Sequence, residues 1–128
     1  MTIENKLKEY ILSHYKSIRE FTNTINMPYS TMDNIFRRGI KNTSVHTIIK
    51  IGNALNISVD ELANDRIIPN NKEDLRDMET IISFMKLNAS SYQLTIDNVP
   101  LTNLEKMTII NAIELSVNLV KHERNLKP

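Results

Sequence analysis

Tyr29, Ser30, Asp33, Asn34 and Arg37 lie within one nine-residue stretch, and at helical period they share a face. Each side chain ends in groups that donate or accept hydrogen bonds, at lengths suited to reaching base edges in a DNA major groove. Thr31 adds a hydroxyl beside them, and Arg38, Lys41 and Asn42 follow at once. The chemistry such a set offers is recognition of a polar surface. The plainer alternative is the polar outer face of an ordinary helical domain, although Glu and Lys are the commoner occupants of a solvated face.

Catalytic chemistry has little to stand on. His14, His46 and His122 occur singly, no H-E-x-x-H or glycine-rich phosphate loop is present, and the chain has only two glycines. It has no cysteine, which removes disulfides and thiolate metal sites and fits a reducing cytoplasm. The expectation is a non-enzyme with no metal and no cofactor. No apolar run approaches the ~18 residues of a membrane span, and the opening MTIENKLKEY has no signal-like apolar stretch. A cytoplasmic protein without a membrane partner is expected.

Two short helices joined by a tight turn must carry the recognition face. Ile18, Phe21 and Ile25 recur at helical spacing, Asn26, Met27 and Pro28 interrupt, and Met32, Ile35 and Phe36 resume the period on the inward side. Pro28 suits a first helical turn and biases Met27 away from helix, so the second helix begins near Pro28 or Tyr29. Ser17 with Glu20 has the spacing of a capping box for the first helix. Gly39 permits a positive φ at the end of the second, after which Ile40 can turn into the core. The net charge is only +1, but between Phe21 and Val59 the only acid is Asp33, against Arg37, Arg38, Lys41 and Lys50. Positive charge is therefore gathered where phosphate contacts would need it.

Around this pair the chain reads as a helical bundle. Ile3, Leu7, Ile11 and Tyr15 make an amphipathic first helix of about three turns, with Glu4, Lys6, Lys8 and Glu9 as its polar residues; His14 reads as surface or packing. Ser44 caps a fourth helix expected to bury Val45, Ile48, Ile49, Ala54 and Leu55. Its first-turn N–H groups, with Ser44 and His46, make an anion site; a merely exposed His46 is an equal alternative. Ser58 with Glu61 caps a short fifth helix carrying Val59 and Leu62.

The matching residues MPYSTMDNI, RRG, KNTSV and IIKIGNALNISVDEL, in that order, resemble the Cro/CI-type helix-turn-helix domains of phage repressors, the XRE family. The resemblance covers about half the chain. It implies a five-helix DNA-binding bundle whose fourth helix faces a phosphate. Where the family often places Gln at the start of the first motif helix, Ile18 stands here, and Thr22 replaces a small Ala. The helix-start contact is therefore assigned to Ser17 and Arg19.

Beyond residue 65 the pattern changes. NDRIIPNNK holds no clean period, and residues 66–72 read as a linker, with Ile67 and Ile68 free to dock on a domain. In residues 73–128, Leu75, Met78, Ile82 and Met85, with Ile81 beside them, mark a helix from about Glu73 to Leu87. SYQLTID alternates like a short strand before the turn-like Asp97–Asn98. Thr102 with Glu105 caps a long helix on which Leu104, Met107, Ile110, Ile113, Val117 and Val120 form a stripe, and Ile109, Ala112, Leu115 and Leu119 widen it. So small a unit has little material for a private core. Pairing with a second copy through that stripe is preferred to packing on the amino-terminal domain. YQLTIDNVPLTNLEKMTII also resembles the carboxy-terminal segment of immunity repressors from integrative elements and temperate phages that lack their own protease. It implies dimers or larger assemblies, relieved by a separate protein, an antirepressor or a protease.

The expectation is thus a mainly all-α protein: a DNA-binding domain over residues 1–65, a linker, and a small helical unit with one short strand for dimerisation or regulator binding. The function expected is a sequence-specific transcriptional repressor of a phage or mobile element, binding a double-stranded inverted-repeat operator as a homodimer through Pro28 to Arg38. The rival is an antitoxin-type or other protein-interaction module whose last helix binds a partner.

Overall fold

The computed structural model describes residues 2–126. The chain is mostly helical and divides into two compact units, Met1–Asn70 and Asn71–Pro128.

In the first unit, Thr2 accepts the Asn5 N–H and starts α1 (Ile3–His14), which buries Ile3, Leu7 and Ile11. The Tyr15 ring then meets Phe21 edge-on, 5.0 Å between centroids. Ser17 accepts the Glu20 N–H at 3.0 Å to begin α2 (Ile18–Thr24). Asn26 takes a left-handed φ of 55°, the turn passes buried Met27, and α3 (Tyr29–Arg38) starts directly after Pro28. Gly39, at φ 100°, redirects the chain into a 3-10 turn, Ile40–Asn42, that buries Ile40. Ser44 caps α4 (Val45–Leu55) and Ser58 caps α5 (Val59–Ala63).

The inward side of α4 differs from expectation. Ile51, Gly52 and Leu55 are buried, whereas Val45 and Ile49 are 72% and 43% exposed and Ala54 is exposed too. The apolar side of the helix is broad, taking in Val45, Ile48, Ile49, Ile51 and Leu55 with His46, Lys50 and Asn53 on the remainder, so its rotation is set by where a neighbour can come close. Gly52 is that place: a Cβ there would stand 2.7 Å from Val59 Cγ2.

The stretch expected as a linker is largely part of this unit. Ile67 is fully buried, Pro69 bridges to Ile57, the Ser58 N–H bonds the Ile68 carbonyl at 2.8 Å, and Asn70 bonds Asn56 and Ile57. Backbone pairing with α5's approach holds it, an interaction with no periodic signature.

Lys6, counted among the polar residues of α1, is 1% exposed, and its Nζ donates to the Asp65 carbonyl at 2.9 Å. It closes the end of the unit onto its beginning. Burial lowers the Lys6 pKa, against the opposing pull of Asp65 and with a further push from Arg66. The folded state therefore releases this proton at lower pH than the unfolded chain, and Lys6 contributes more to stability as pH climbs through that window toward the ~10.4 of a free lysine. Urea melts of the protein against Lys6→Met should show the gap moving in favour of the native residue as pH rises. A gap constant with pH would contradict this.

In the second unit a 3-10 turn, Lys72–Leu75, precedes α6 (Met78–Asn88). The helix starts five residues later than expected because Asp77 accepts both the N–H and the hydroxyl of Thr80 at 2.9 and 3.0 Å. Leu75 and Met78 are consequently exposed. The expected strand is one arm of a minimal hairpin, β1 (Thr95–Ile96) against β2 (Val99–Pro100), with Ile96 opposite Val99. Asp97 and Asn98, at φ 51° and 67°, make its two-residue turn. Thr102 and Glu105 cap each other reciprocally at 2.9 and 3.1 Å to launch the 24-residue α7 (Asn103–Leu126). α7 runs antiparallel to α6, tied by Lys86 to Glu114 at 2.6 Å and by Lys121 to Glu79. Buried Lys106 donates to the carbonyls of Ala89 and Tyr92.

The stripe expected as a dimer seam is mostly spent inside this unit. Ile110 is buried, Met107, Ile113 and Val117 are half-buried, and only Leu104 and Val120 are exposed. Glu114 and Lys121, which pair with α6, lie on the same side, so that side faces α6 rather than a second chain.

Candidate nucleic-acid interface

Met32 and Ile35 root α3 in the first unit at 0% and 2% exposure, and Phe36 lies half-buried with Lys8 Nζ 5.8 Å from its ring centre. With that side fixed, Tyr29, Ser30, Asn34, Arg37 and Arg38 are exposed. Asp33 and Thr31 are half-buried, which places Thr31 at the margin rather than among the outward residues.

These side chains engage one another. The Arg37 guanidinium pairs with Asp33 at 3.1 Å and donates to Asn34 Oδ1 at 3.1 Å. With side chains this exposed, 69% for Arg37 and 41% for Asp33, the pair contributes little to stability. What it does is offset the one acid on the face and hold Asn34 with its amide donors free to turn outward. Arg19 on α2 lies 4.4 Å over the Tyr29 ring, stacking cation on aromatic across the turn. This links the two ends of the motif at its surface.

Behind α3 the arrangement favours an anion. Lys41 is exposed. The side chain of Asn42 donates to the Arg38 carbonyl at 2.7 Å, so it is engaged in capping α3. Ser44 Oγ accepts the Thr47 N–H at 3.2 Å and lies 2.9 Å from the Thr47 hydroxyl. No acid stands in the first turn of α4, and His46 there is exposed. The positive end of the α4 dipole is therefore open to solvent. Ser17 is exposed with its hydroxyl committed to capping α2.

Two residues shape this surface through contacts that their types and spacing do not announce. Lys50 reaches from α4 to the Asn26 carbonyl at 3.2 Å and fastens the turn between α2 and α3. Thr22, fully buried, sends its hydroxyl to the Arg19 carbonyl at 3.0 Å, so a hydroxyl is tolerated where a small apolar residue would be the simpler choice. Among the described residues no group of three His, Cys, Asp or Glu side chains could hold a metal ion, and no helix is long and apolar enough to cross a membrane. No family model, no curated protein and no solved structure matches the chain.

Proposed function

We propose that this protein is a sequence-specific DNA-binding transcriptional repressor of the Cro/CI type, acting as a homodimer on an inverted-repeat operator. The observation that carries the reading is the outward face of α3. Four side chains with base-reading chemistry, Tyr29, Ser30, Asn34 and Arg37, stand exposed on a helix whose opposite side is buried, and Arg38, Lys41 and the open start of α4 lie next in the chain. In this reading Pro28 to Arg38 enters a major groove, with Tyr29, Ser30, Asn34 and Arg37 nearest the bases. Arg19, Arg38, Lys41 and the start of α4 hold phosphates and set the register, which carries no sequence information itself. Two half-sites about 10 base pairs apart, or a multiple, suit a two-fold dimer.

Footprinting of the purified protein on DNA flanking its own gene should reveal a protected inverted repeat. On that site Asn34→Ala and Ser30→Ala should each lose about 1 to 3 kcal/mol of discrimination while binding to unrelated DNA stays unchanged. Lys41→Ala should weaken all sequences alike. Protection that survives Asp33→Lys together with Asn34→Ala would place the reading surface elsewhere and defeat the proposal.

A further inference from the structure

We propose that the outer face of α7 pairs with the same face of a second copy of this chain, the two helices running antiparallel about an axis near Leu115. The inference shares with the proposed function only the need for two copies, and it is tested without DNA.

The first argument is the poverty of the core. In the second unit only Ile82 and Ile110, among the described apolar side chains, are buried. A unit of under about 70 residues seldom stabilises itself even with a full core. Meanwhile eleven of the fifteen large apolar side chains that stand exposed among the described residues belong to this unit, from Leu75 to Val120. On the side of α7 away from Ile110, Ala112, Leu115 and Leu119 recur at three- and four-residue spacing, with Ile109 at the margin of the same face. Ile109 is 40% exposed, and Leu115 and Leu119 are each 60% exposed.

The second argument is what that face asks of its occupant. Between Met107 and Val120 the only charge is Glu114, and its carboxylate is already bound to Lys86. The hydroxyls of Thr108 and Ser116 turn back onto the carbonyls of Leu104 and Ala112, each at 2.9 Å. The face therefore presents no free charge, and the polar side chains that border it without turning back onto the helix are the uncharged, exposed Asn111 and Asn118. A partner of different chemistry would be selected by complementary charge at the centre, whereas an apolar, neutral face is complementary to itself. Loss of charge at the centre is also what marks homodimer contacts.

Direction follows from the helix ends. A parallel pair would set Glu105 against Glu105 and Glu123 against Glu123 and align two helix dipoles. An antiparallel pair about Leu115 sets Glu105 opposite Asn125 and Glu123 opposite Met107, with the dipoles opposed.

The chain has no cysteine, so single cysteines report cleanly. With a short bifunctional thiol reagent, Leu115→Cys should cross-link to a covalent dimer in high yield. Ile109→Cys alone should not, because antiparallel pairing carries it roughly 18 Å from its own copy at 1.5 Å per residue. Leu115→Asp combined with Leu119→Asp should sediment as a single chain. Efficient cross-linking of Ile109→Cys with itself would overturn the antiparallel arrangement. Sedimentation of the unaltered protein as a monomer up to about 100 μM, the weak end of specific pairing, would overturn the seam altogether, as would dimers that persist in the double aspartate variant. None of these results depends on whether α3 reads DNA.

Discussion

Raising salt from about 50 to about 200 mM should weaken operator binding by about four powers of ten. The size follows from counting. Each protomer offers about four phosphate contacts: Arg19, Arg38, Lys41, and the Ser44 and His46 end of α4. Two protomers then displace counterions from about eight phosphates, for a log-log slope on the order of −7. Arg37 is left out of the count because Asp33 already engages its charge. The net charge of +1 for the whole chain predicts no such steepness; only the local gathering of cations does. Filter binding or fluorescence anisotropy across a salt series measures the slope directly. A value near −2 would mean that these cations do not touch phosphate. Lys41→Ala should flatten the slope by about two for the dimer, and Asn34→Ala should leave it unchanged while lowering affinity. That contrast separates positioning from reading within one experiment.

How much of this was legible beforehand depended on whether the signal was local. Ser17, Ser44, Ser58 and the Thr102–Glu105 pair each act over three residues, and each helix start they announced is present. Pro28 and Gly39 likewise end or turn the chain through their own backbone limits, so α3 was bounded by its own residues. The outward set on α3 followed from Met32 and Ile35 alone, because a helix with one narrow apolar stripe has only one way to face. On α4 the stripe is broad, and Val45 and Ile49 looked as fit for burial as Ile51 and Leu55. Close approach of Val59 to Gly52 decided it, a long-range fact. The same blindness hid Lys6, whose carbonyl partner lies 59 positions away. The α7 stripe was ambiguous for a related reason: α7 is apolar on two sides, and periodicity does not say which side meets α6.

Phe21→Ala should cost the first unit about 3 to 5 kcal/mol and with it most of its DNA binding. The ring has no exposed surface and is held edge-on by Tyr15, so truncation removes both buried area and an aromatic contact. Small domains carry total stabilities of about 5 kcal/mol or somewhat more, so the loss leaves a substantial unfolded fraction. Its effect on recognition is indirect. Phe21 sits on α2, whose Arg19 stacks on Tyr29 and whose end, at Asn26, is fastened by Lys50. Loosening α2 therefore frees the start of α3 from its support. Chemical denaturation followed by circular dichroism should show a lowered midpoint, and operator affinity should fall in step with the folded fraction. Phe21→Leu keeps much of the volume and should recover most of the stability and the binding together. If Phe21→Ala kept native stability yet lost binding, Phe21 would belong to the interface itself, and the packing described for α2 would have to be wrong.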